Sequence, residues 1–386
     1  MKLKITALFA SLLMLLVCCI GCQASGGKKS MNAKAFSEKY KIARTADTCK
    51  VIIDGDIMYL NDDMYAVFAA LQADKLGMID LLGITATSGN TFVSGAVYDA
   101  LNQLEYVGRT DIPVFAGVDE PLNGWVDVER SKAETGDIGW YGCYTYMDSY
   151  TADYMKAKVN GISISPLPDP VTKPQEMSSV DFIIEQIHKY PGQVTLIALG
   201  GMQNIALALQ KDPTIASEAA EIIYMGGVFD VCGQSLENVE YNFWFDPTAT
   251  NICLRADWKS QVIVSHDAAT TCLKGKAVYQ RFKDKNTTKI TELIVNDLAP
   301  IYENGKVEDL LYCWDPLTMA YLLCPEICTD VQTRYVYVDE QYGVNYGATM
   351  NWKEGTQPEN MPQCRVVLAA DNERFWDFIS DIYSVS

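Results

Sequence analysis

The feature that most constrains the fold of this chain is a motif that recurs along it. A short apolar run ends abruptly in Gly, Asp or Asn and is followed by a helical pattern. Apolar runs without alternation are typical of strands that are covered on both faces, and strands that alternate with helices predict right-handed crossovers. The sequence therefore predicts an α/β fold with a Rossmann-like, mostly parallel central sheet flanked by helices. The runs are "VIIDGD" at 51, "LLGITATSGN" at 81, "VTLIALGGMQN" at 194, "EIIYMGGVFD" at 221 and "QVIVSHDAAT" at 261.

The first run ends in an unusual concentration of carboxylates, since Asp54, Asp56, Asp62 and Asp63 follow one another closely. Carboxylates at this spacing repel one another unless a cation or a shared proton compensates. Helix capping accounts for Asp62 or Asp63, which begin the pattern "DDMYAVFAALQ", but it does not account for Asp54 and Asp56. Several carboxylates together supply the hard oxygen ligands that Ca²⁺ or Mg²⁺ prefers. Because ligands of parallel sheets bind at the carboxyl ends of the strands, the sequence indicates a metal site there.

An alternative interpretation of the first two aspartates is a phosphatase site. A D-x-D pair after an apolar strand resembles the haloacid-dehalogenase phosphatases, which have Thr or Val two residues after the second Asp. This chain has Met58 there and lacks a later acidic metal motif. The phosphatase interpretation is therefore weakened.

The N-terminus predicts export. "MKLKITALFASLLMLLVCCIGC" has two lysines and an apolar core too short for an ordinary transmembrane helix. Its end resembles a bacterial lipobox, in which the cysteine is lipidated, although a simple cleaved signal peptide is the alternative. We expect an exported lipoprotein that is anchored to the membrane at Cys22 on a periplasmic or cell-surface face. The predicted organisation is a signal peptide over 1–21, a flexible tether over 22–45 and one folded domain over 46–386.

Charge and cysteine content limit the partners. The net charge is −18, with 49 acidic against 31 basic residues and no Lys/Arg-rich block, which disfavours a nucleic-acid surface. The cysteines after Cys22 are scattered, and Cys324 and Cys328 lack the second pair of a zinc site. We expect buried free thiols.

The aromatic segment 124–170 interrupts the strand and helix pattern. It is interpreted as an extended loop or small helical excursion over the site, or else as a packed surface insertion.

A series of stretches in fixed order gives the chain its resemblance to a known family. "DGDIMYLNDD" resembles a longer-spaced form, D-x-D-x5-D-D, of the aspartate motif that opens the inosine-uridine preferring nucleoside hydrolase family. The resemblance implies the nucleoside hydrolase fold, a homodimer or homotetramer, and Ca²⁺-dependent hydrolysis of ribonucleosides to ribose and free base. The further stretches are "LLGITATSGN", "IPVFAGVDEPL", "VTLIALGGMQNIALAL", "EIIYMGGVFDVCGQ", "VEYNFWFDPTAT" and "CWDPLTMAYLLCP".

The same resemblance implies the residues of a metal site and a general base. Asp56, Asp63 and Asp315 match the Ca²⁺ carboxylates, and Leu199 matches the position whose backbone carbonyl completes the protein ligands. Such a mixture of carboxylates and carbonyl suits Ca²⁺. Asp62 matches the general base that takes a proton from the water activated by calcium.

The resemblance also implies the residues that contact the ribose. Asn90, Glu240 and Asn242 match positions that bind the ribose hydroxyls. Each of them also has an alternative interpretation without substrate binding. Asn90 is compatible with the stabilisation of a turn, and Glu240 and Asn242 are compatible with solvated loop positions. Gln234 stands where many members have Asn, which puts a ribose contact there in doubt.

Trp314 differs from the residue that many family members have at this position, and the difference concerns the nucleobase. Many members have a His there that protonates the leaving base, whereas a Trp resembles the purine-preferring branch, in which indoles stack on the purine and solvent supplies the proton. Trp125 is the first choice for the second stacking ring, and Trp140 is the second. The chain has two histidines, His188 and His266, and neither is expected to act as the leaving-group acid.

The predicted function is thus hydrolysis of purine ribonucleosides, with a small-molecule substrate and Ca²⁺ as cofactor. One alternative is a relative that acts on another ribosyl or glycosyl compound. The other is a lipoprotein that binds Ca²⁺ and nucleoside without turnover, which the bulky stretch Met58-Tyr59-Leu60 beside the aspartates keeps open.

Overall fold

The structure, a computed structural model, describes residues 31–233, 236–303 and 312–385. The predicted signal peptide, the lipidation site Cys22 and Gln234 lie outside these residues. Within them the strands are β1 (Lys50–Gly55), β2 (Asp80–Ala86), β3 (Val114–Ala116), β4 (Val194–Ala198), β5 (Glu221–Met225), β6 (Gln261–Val264), β7 (Cys328–Val338), β8 (Thr349–Trp352) and β9 (Gln363–Ala370). The α-helices are α1 (Ala33–Tyr40), α2 (Asp62–Lys75), α3 (Val93–Val107), α4 (Val128–Thr135), α5 (Ser179–Lys189), α6 (Gln203–Lys211), α7 (Thr214–Glu218), α8 (Tyr241–Phe245), α9 (Pro247–Leu254), α10 (His266–Thr270), α11 (Lys276–Asp284), α12 (Lys289–Tyr302), α13 (Pro316–Leu323) and α14 (Asn372–Ser384). Short 3₁₀ helices cover Gly142–Ser149, Tyr154–Lys156 and Pro325–Ile327.

The described strands form one sheet in the order β3-β2-β1-β4-β5-β6-β9-β7-β8. Strands β1 to β6 and β9 pair in parallel, whereas β7 pairs antiparallel with both β9 and β8. The predicted mostly parallel sheet is therefore confirmed, and the five apolar runs form β1, β2, β4, β5 and β6. The antiparallel edge was not predicted, because β7 alternates between buried and more exposed residues and has no continuous apolar run.

Helices cover both faces of the sheet, as the apolar runs require. Along β1, Val51 and Ile53 point into the core under α2, α3, α13 and α14, while Ile52 points into the core under α5, α6 and α9. All three side chains are fully buried. Because the middle of such a strand is covered on both faces, the side chains that reach a ligand collect at the carboxyl edge.

Helix α2 begins directly after the aspartate-rich loop. The Asn61 side chain caps it by accepting a hydrogen bond from the Met64 amide at 3.3 Å, and two acidic residues in its first turn are favoured by the helix dipole. The bulky stretch before it is held by Gln103 of α3. Gln103 accepts from the Leu60 amide at 3.0 Å and donates to the Met58 carbonyl at 3.3 Å. This clamp fixes a loop in which Leu60 has a positive φ of 48°.

The start of the folded body differs from the prediction. Residues 33–40, expected to belong to the flexible tether, form helix α1, and Phe36 of this helix is fully buried. Tyr40 donates a hydrogen bond to Asp381 of α14 at 2.7 Å, and its ring meets Phe378 edge-on at 5.0 Å. These apolar and polar contacts fix α1 against α14, so the tether cannot extend to residue 45.

Two further sequence expectations concern membranes and thiols. Within the described ranges, no helix has the length and apolarity needed to cross a membrane. The cysteines from Cys49 to Cys364 in these ranges are unpaired thiols, as expected. Most of them are buried, and burial raises the pKa of such thiols, for example that of Cys272 to about 12.

The aromatic segment 124–170 combines both predicted alternatives. Tyr141 and Tyr144 are buried and pack around Trp244, so part of the segment is a packed insertion. Gly139 and Trp140 line the main pocket, so another part covers the site.

Candidate active site

The aspartate-rich loop brings Asp56 and Asp63 together beneath the carboxyl edge of the sheet. Both side chains are fully buried. The Asp56 amide donates to Asp63 Oδ1 at 3.0 Å, and the Asn61 amide group donates to Asp63 Oδ2 at 2.6 Å. Asp56 Oδ2 accepts from the Asn90 backbone amide. Asp56 Oδ1 is buried and has no hydrogen-bond partner among the described residues.

Close glycine backbones enclose the Asp56 carboxylate. A Cβ atom on Gly200 would lie 2.6 Å from Asp56 Oδ1, and one on Gly89 would overlap Oδ2. The residues "SGN" and "LGG" that end two of the apolar runs supply these glycines. Their lack of a side chain allows two neighbouring strand ends to approach the carboxylate.

Asp315 joins this group from a distant part of the chain. It precedes Pro316 at the start of α13 and is 2% exposed. One carboxylate oxygen from each of Asp62, Asp63 and Asp315 lies within 4.8 Å of the others. Each of Asp63 and Asp315 therefore shifts the pKa of its neighbours in this group.

The buried aspartates of this cluster have raised pKa values. Burial raises the pKa of Asp56 to about 7, and burial together with the neighbouring carboxylates raises the pKa of Asp63 and of Asp315 well above the usual range. Without a cation the group therefore holds protons. A buried carboxylate oxygen without a hydrogen-bond partner, in a group of several carboxylates, fits a hard divalent cation such as Ca²⁺.

Leu199 and Asp62 lie at the boundary between this cluster and a pocket. Leu199 follows β4, and its carbonyl accepts from the Asn242 side chain at 2.6 Å. Asp62 is half-buried, and its Oδ2 accepts from the Trp314 amide at 3.3 Å. Burial raises the pKa of Asp62, while the cation of Lys274 opposes this rise. Asp54 lies apart from them in β1, where Thr85 and Asn204 donate to its Oδ1 at 2.5 and 2.8 Å.

The pocket above the cluster has a volume of about 630 Å³, which is in the range that small-molecule sites occupy. Of the residues expected to bind metal or substrate, it is lined by Asp62, Asn90, Leu199, Glu240, Asn242, Trp314 and Asp315. Asp56 and Asp63 lie below its floor.

Hydrogen bonds hold two of the polar side chains, Glu240 and Asn90, in the pocket wall. Glu240 caps α8, since its two carboxylate oxygens accept from the amides of Asn242 at 2.8 Å and Phe243 at 3.1 Å, and Gly227 donates to it at 2.9 Å. Asn90 accepts at its Oδ1 from the Trp140 indole N–H at 2.9 Å. These contacts hold both side chains at the wall of the pocket.

Comparison with known proteins gives the family. Residues 51–377 match the inosine-uridine preferring nucleoside hydrolase family over almost the whole described body. The chain belongs to this family. It is thus an enzyme that hydrolyses N-glycosyl bonds of nucleosides.

The relatives of this hydrolase cover nearly its whole length. A probable uridine nucleosidase 2 of Arabidopsis thaliana is 28% identical over 340 residues, which span 84% of this chain and 94% of the relative. A plant nucleoside hydrolase structure is 25% identical with a TM-score of 0.69, and covers 88% of this chain and 100% of its own. A purine-preferring ribonucleoside hydrolase from Gardnerella vaginalis is 26% identical with a TM-score of 0.67, and covers 87% and 98% respectively.

The structure corrects the choice of a second aromatic ring in the hydrolase pocket. Trp125 packs edge-on against Phe92, Tyr144 and Phe245, and among the described residues it does not belong to the pocket lining. Trp140, the second choice, lines the pocket. The reason is local, since Trp125 precedes α4 and points into the aromatic core, whereas Trp140 follows α4 and turns toward Asn90.

Three aromatic pocket residues, Tyr241, Tyr312 and His266, were missed from the sequence. Tyr312 stacks on Trp314 with ring centroids 5.2 Å apart. His266, which was not expected to take part in the site, also lines the pocket, and its Nδ1 accepts from the Trp314 indole N–H at 2.9 Å. A signal was available, because His266 directly follows the apolar run of β6 at the functional edge of the sheet. His188 is distant, where it bonds Asp212 and Glu218.

Proposed function

We propose that this nucleoside hydrolase cleaves purine ribonucleosides to ribose and free base, with Asp62 as general base and a Ca²⁺ held by Asp56, Asp63, Asp315 and the Leu199 carbonyl. The observation that carries the proposal is the position of Asp62. It is the half-buried carboxylate that meets the pocket directly above a buried cluster of carboxylates.

The choice of Asp62 as base rests on access. Asp56 is fully buried and enclosed by glycines, whereas Asp62 is half-buried and lines the pocket, where solvent can reach it. A raised pKa brings the carboxylate closer to the pH at which a general base is most effective. A divalent cation in the cluster supplies positive charge that favours ionisation of a water beside it.

The ribose is expected to lie near the polar wall and the base near the aromatic wall. Asn90, Glu240 and Asn242 form the polar side of the pocket, close to Asp62. Positioning of the sugar against the attacking water accounts for much of the rate enhancement in such a site. The base departs with the electron pair of the glycosidic bond and takes up a proton from solvent, and aromatic faces stabilise the positive charge on the protonated base.

Purine preference is supported by the aromatic wall of Trp140, Tyr312 and Trp314, which suits a large planar base. The purine-preferring hydrolase from Gardnerella vaginalis has a similar structure, while the curated relatives include uridine nucleosidases. Inosine, guanosine, adenosine, uridine and cytidine should therefore be compared, with release of free ribose as the readout. We expect higher kcat/KM for purines, and loss of turnover with chelator that Ca²⁺ restores.

Other outcomes of this panel separate the alternatives. Faster hydrolysis of uridine than of inosine would overturn the purine preference. Binding of nucleosides without release of ribose would favour a binding protein, and cleavage of phenyl ribosides alone would favour another ribosyl substrate. Turnover that survives complete removal of metal would overturn the role of Ca²⁺.

The role of Asp62 is tested by Asp62→Asn. We expect kcat to fall by about 10²- to 10⁴-fold, the usual contribution of a general base, while Ca²⁺ still stabilises the protein. Asp297→Asn is a matched control, because Asp297 is another half-buried carboxylate whose pKa is influenced by Lys274. It lies outside the pocket lining of the described chain, so this variant should retain activity. Wild-type turnover in Asp62→Asn would exclude Asp62 as the base.

We further propose that the enzyme is exported and anchored through a lipid on Cys22. The support is the lysine-flanked apolar segment and its lipobox-like end. Labelling of cells with a fatty-acid analogue should mark the wild type and not Cys22→Ser. Labelling of both proteins alike would contradict the anchor.

A further inference from the structure

His266 and Trp314 form a hydrogen-bonded pair of rings in the pocket wall. The indole Nε1–H of Trp314 donates to His266 Nδ1 at 2.9 Å, and the planes of the two rings differ by only 24° at a centroid separation of 6.1 Å. The short N–N distance at this large separation means that the rings meet at their edges. His266 is 3% exposed, and its remaining surface belongs to the pocket lining.

This hydrogen bond selects one tautomer of the imidazole. An indole nitrogen only donates, so the Nδ1 atom that faces it must be unprotonated. The proton of the neutral ring is then on Nε2. None of the hydrogen bonds within the described part of the chain involves Nε2 of His266, and this atom is therefore available to a ligand in the pocket.

The surroundings keep the ring neutral. Burial lowers the pKa of His266, and the carboxylate of Asp267 acts against this. Asp267 is occupied, however, since it accepts hydrogen bonds from the amides of Phe229, Asp230 and Val231 at 2.7 to 3.1 Å. Protonation of Nδ1 would also place two donors, the indole N–H and the new imidazolium N–H, against each other. A neutral ring with a fixed donor follows.

We infer that His266 determines base specificity by donating its Nε2–H to acceptor atoms on the edge of a 6-oxopurine. The inference rests on the proposed purine nucleoside hydrolysis and adds a residue that selects among purines. Hypoxanthine and guanine present two adjacent acceptors, N7 and O6, whereas adenine presents N7 beside an amino group that donates. The fixed Nε2–H donor is complementary to the two acceptors of hypoxanthine or guanine, whereas it meets a second donor in the amino group of adenine. His266 thus favours inosine and guanosine over adenosine.

The tautomer is tested without substrate by nitrogen NMR of the ring-labelled full-length protein. The chain has two histidines, and His188→Gln assigns the spectrum. For His266 we expect a protonated Nε2 and an unprotonated Nδ1 that do not change from about pH 5 to about pH 8. His188 is an internal reference that titrates, because Glu218 and Asp212 raise its pKa. A protonated Nδ1, or ordinary titration of His266, would overturn the inference.

Trp314→Phe tests the cause of the fixed tautomer. This change keeps an aromatic ring and removes the indole N–H. The neutral ring of His266 should then populate the tautomer with the proton on Nδ1 as well, and the same spectra detect it. If His266 in this variant keeps the Nε2–H tautomer alone, as in the wild type, Trp314 does not fix the tautomer and the inference is overturned.

The specificity is tested with inosine and adenosine, which differ at position 6 of the base. In His266→Phe the ratio of kcat/KM for inosine to that for adenosine should fall by about three- to tenfold, the usual effect of one hydrogen bond. His266→Gln, which places an amide donor near the position of Nε2, should restore part of the ratio. An equal loss on both substrates would indicate a merely structural role and overturn the inference. Absence of purine turnover in the wild type, with the expected tautomer, would instead overturn the proposed function.

Discussion

Gly200→Ala is a perturbation whose consequence for the metal site can be worked out from the structure. The new Cβ would lie 2.6 Å from Oδ1, 2.8 Å from Cγ and 3.1 Å from Cβ of Asp56. Ordinary contacts of this kind are longer than 3.4 Å, so the carboxylate must move by several tenths of an ångström. It cannot move far, because Gly89 encloses its other oxygen and the Asn90 amide holds it.

The size of the effect has two parts. Overpacking of this kind costs about 1–3 kcal/mol of stability. Displacement of a residue that positions a metal ligand weakens metal binding by about 10- to 100-fold. At a Ca²⁺ concentration of about 100 times Kd, the metal stabilises the wild type by about 2.7 kcal/mol, and a hundredfold weaker Kd leaves about 0.4 kcal/mol.

Urea unfolding with Ca²⁺ and with chelator measures both parts. We expect Gly200→Ala to lower the free energy of unfolding in chelator and to lose most of the increment that Ca²⁺ gives the wild type. Gly343→Ala is the matched control, since its nearest neighbour, the Gln341 carbonyl, lies 4.0 Å from the position of a Cβ. A full Ca²⁺ increment in Gly200→Ala would refute the assignment of Asp56 to the metal site.

Two further predictions concern protons and the loop clamp. The pKa of Asp56 in the folded, metal-free protein is raised from 3.8 to about 7. Between about pH 4 and about pH 7 the folded state therefore binds more protons than the unfolded state. The stability of the metal-free protein should fall as pH rises through this window. Ca²⁺ displaces these protons, and its stabilisation in thermal unfolding should therefore grow as pH rises through this window. Gln103→Leu should cost about 1–3 kcal/mol for each backbone group left unpaired, the Leu60 N–H and the Met58 C=O. It should also raise KM, because Met58 and Asn61 of this loop line the pocket.

The pH prediction has an outcome that would contradict it, and the Gln103→Leu prediction has a control variant. A Ca²⁺ increment that is the same at both ends of the pH range would mean that metal and protons do not compete. Gln72→Leu removes a different buried clamp, in which Gln72 donates to the carbonyls of Ile382 and Val385 at 3.1 and 2.8 Å. It should lower stability while KM stays near the wild-type value. An unchanged KM in Gln103→Leu as well would contradict a positioning role for that clamp.

The sequence by itself determined most of the elements around the site and the crowding of its carboxylates. Apolar runs and helix caps are local signals, so the strand that ends at Gly55 and the helix that begins at Asp62 were predicted close to their bounds. The spacing of the aspartates required either a cation or shared protons whatever the fold, because neighbouring carboxylates repel one another.

Only the tertiary structure decided which distant side chains complete the site. Trp140 rather than Trp125 reaches the pocket because of the turns on either side of α4. His266 becomes a fixed donor because of a hydrogen bond to Trp314, 48 positions away in the chain. Gln103 explains the bulky stretch at Met58, and it lies 45 positions away. Contacts at such separations depend on how the strands and helices pack, and no local pattern of residues specifies them.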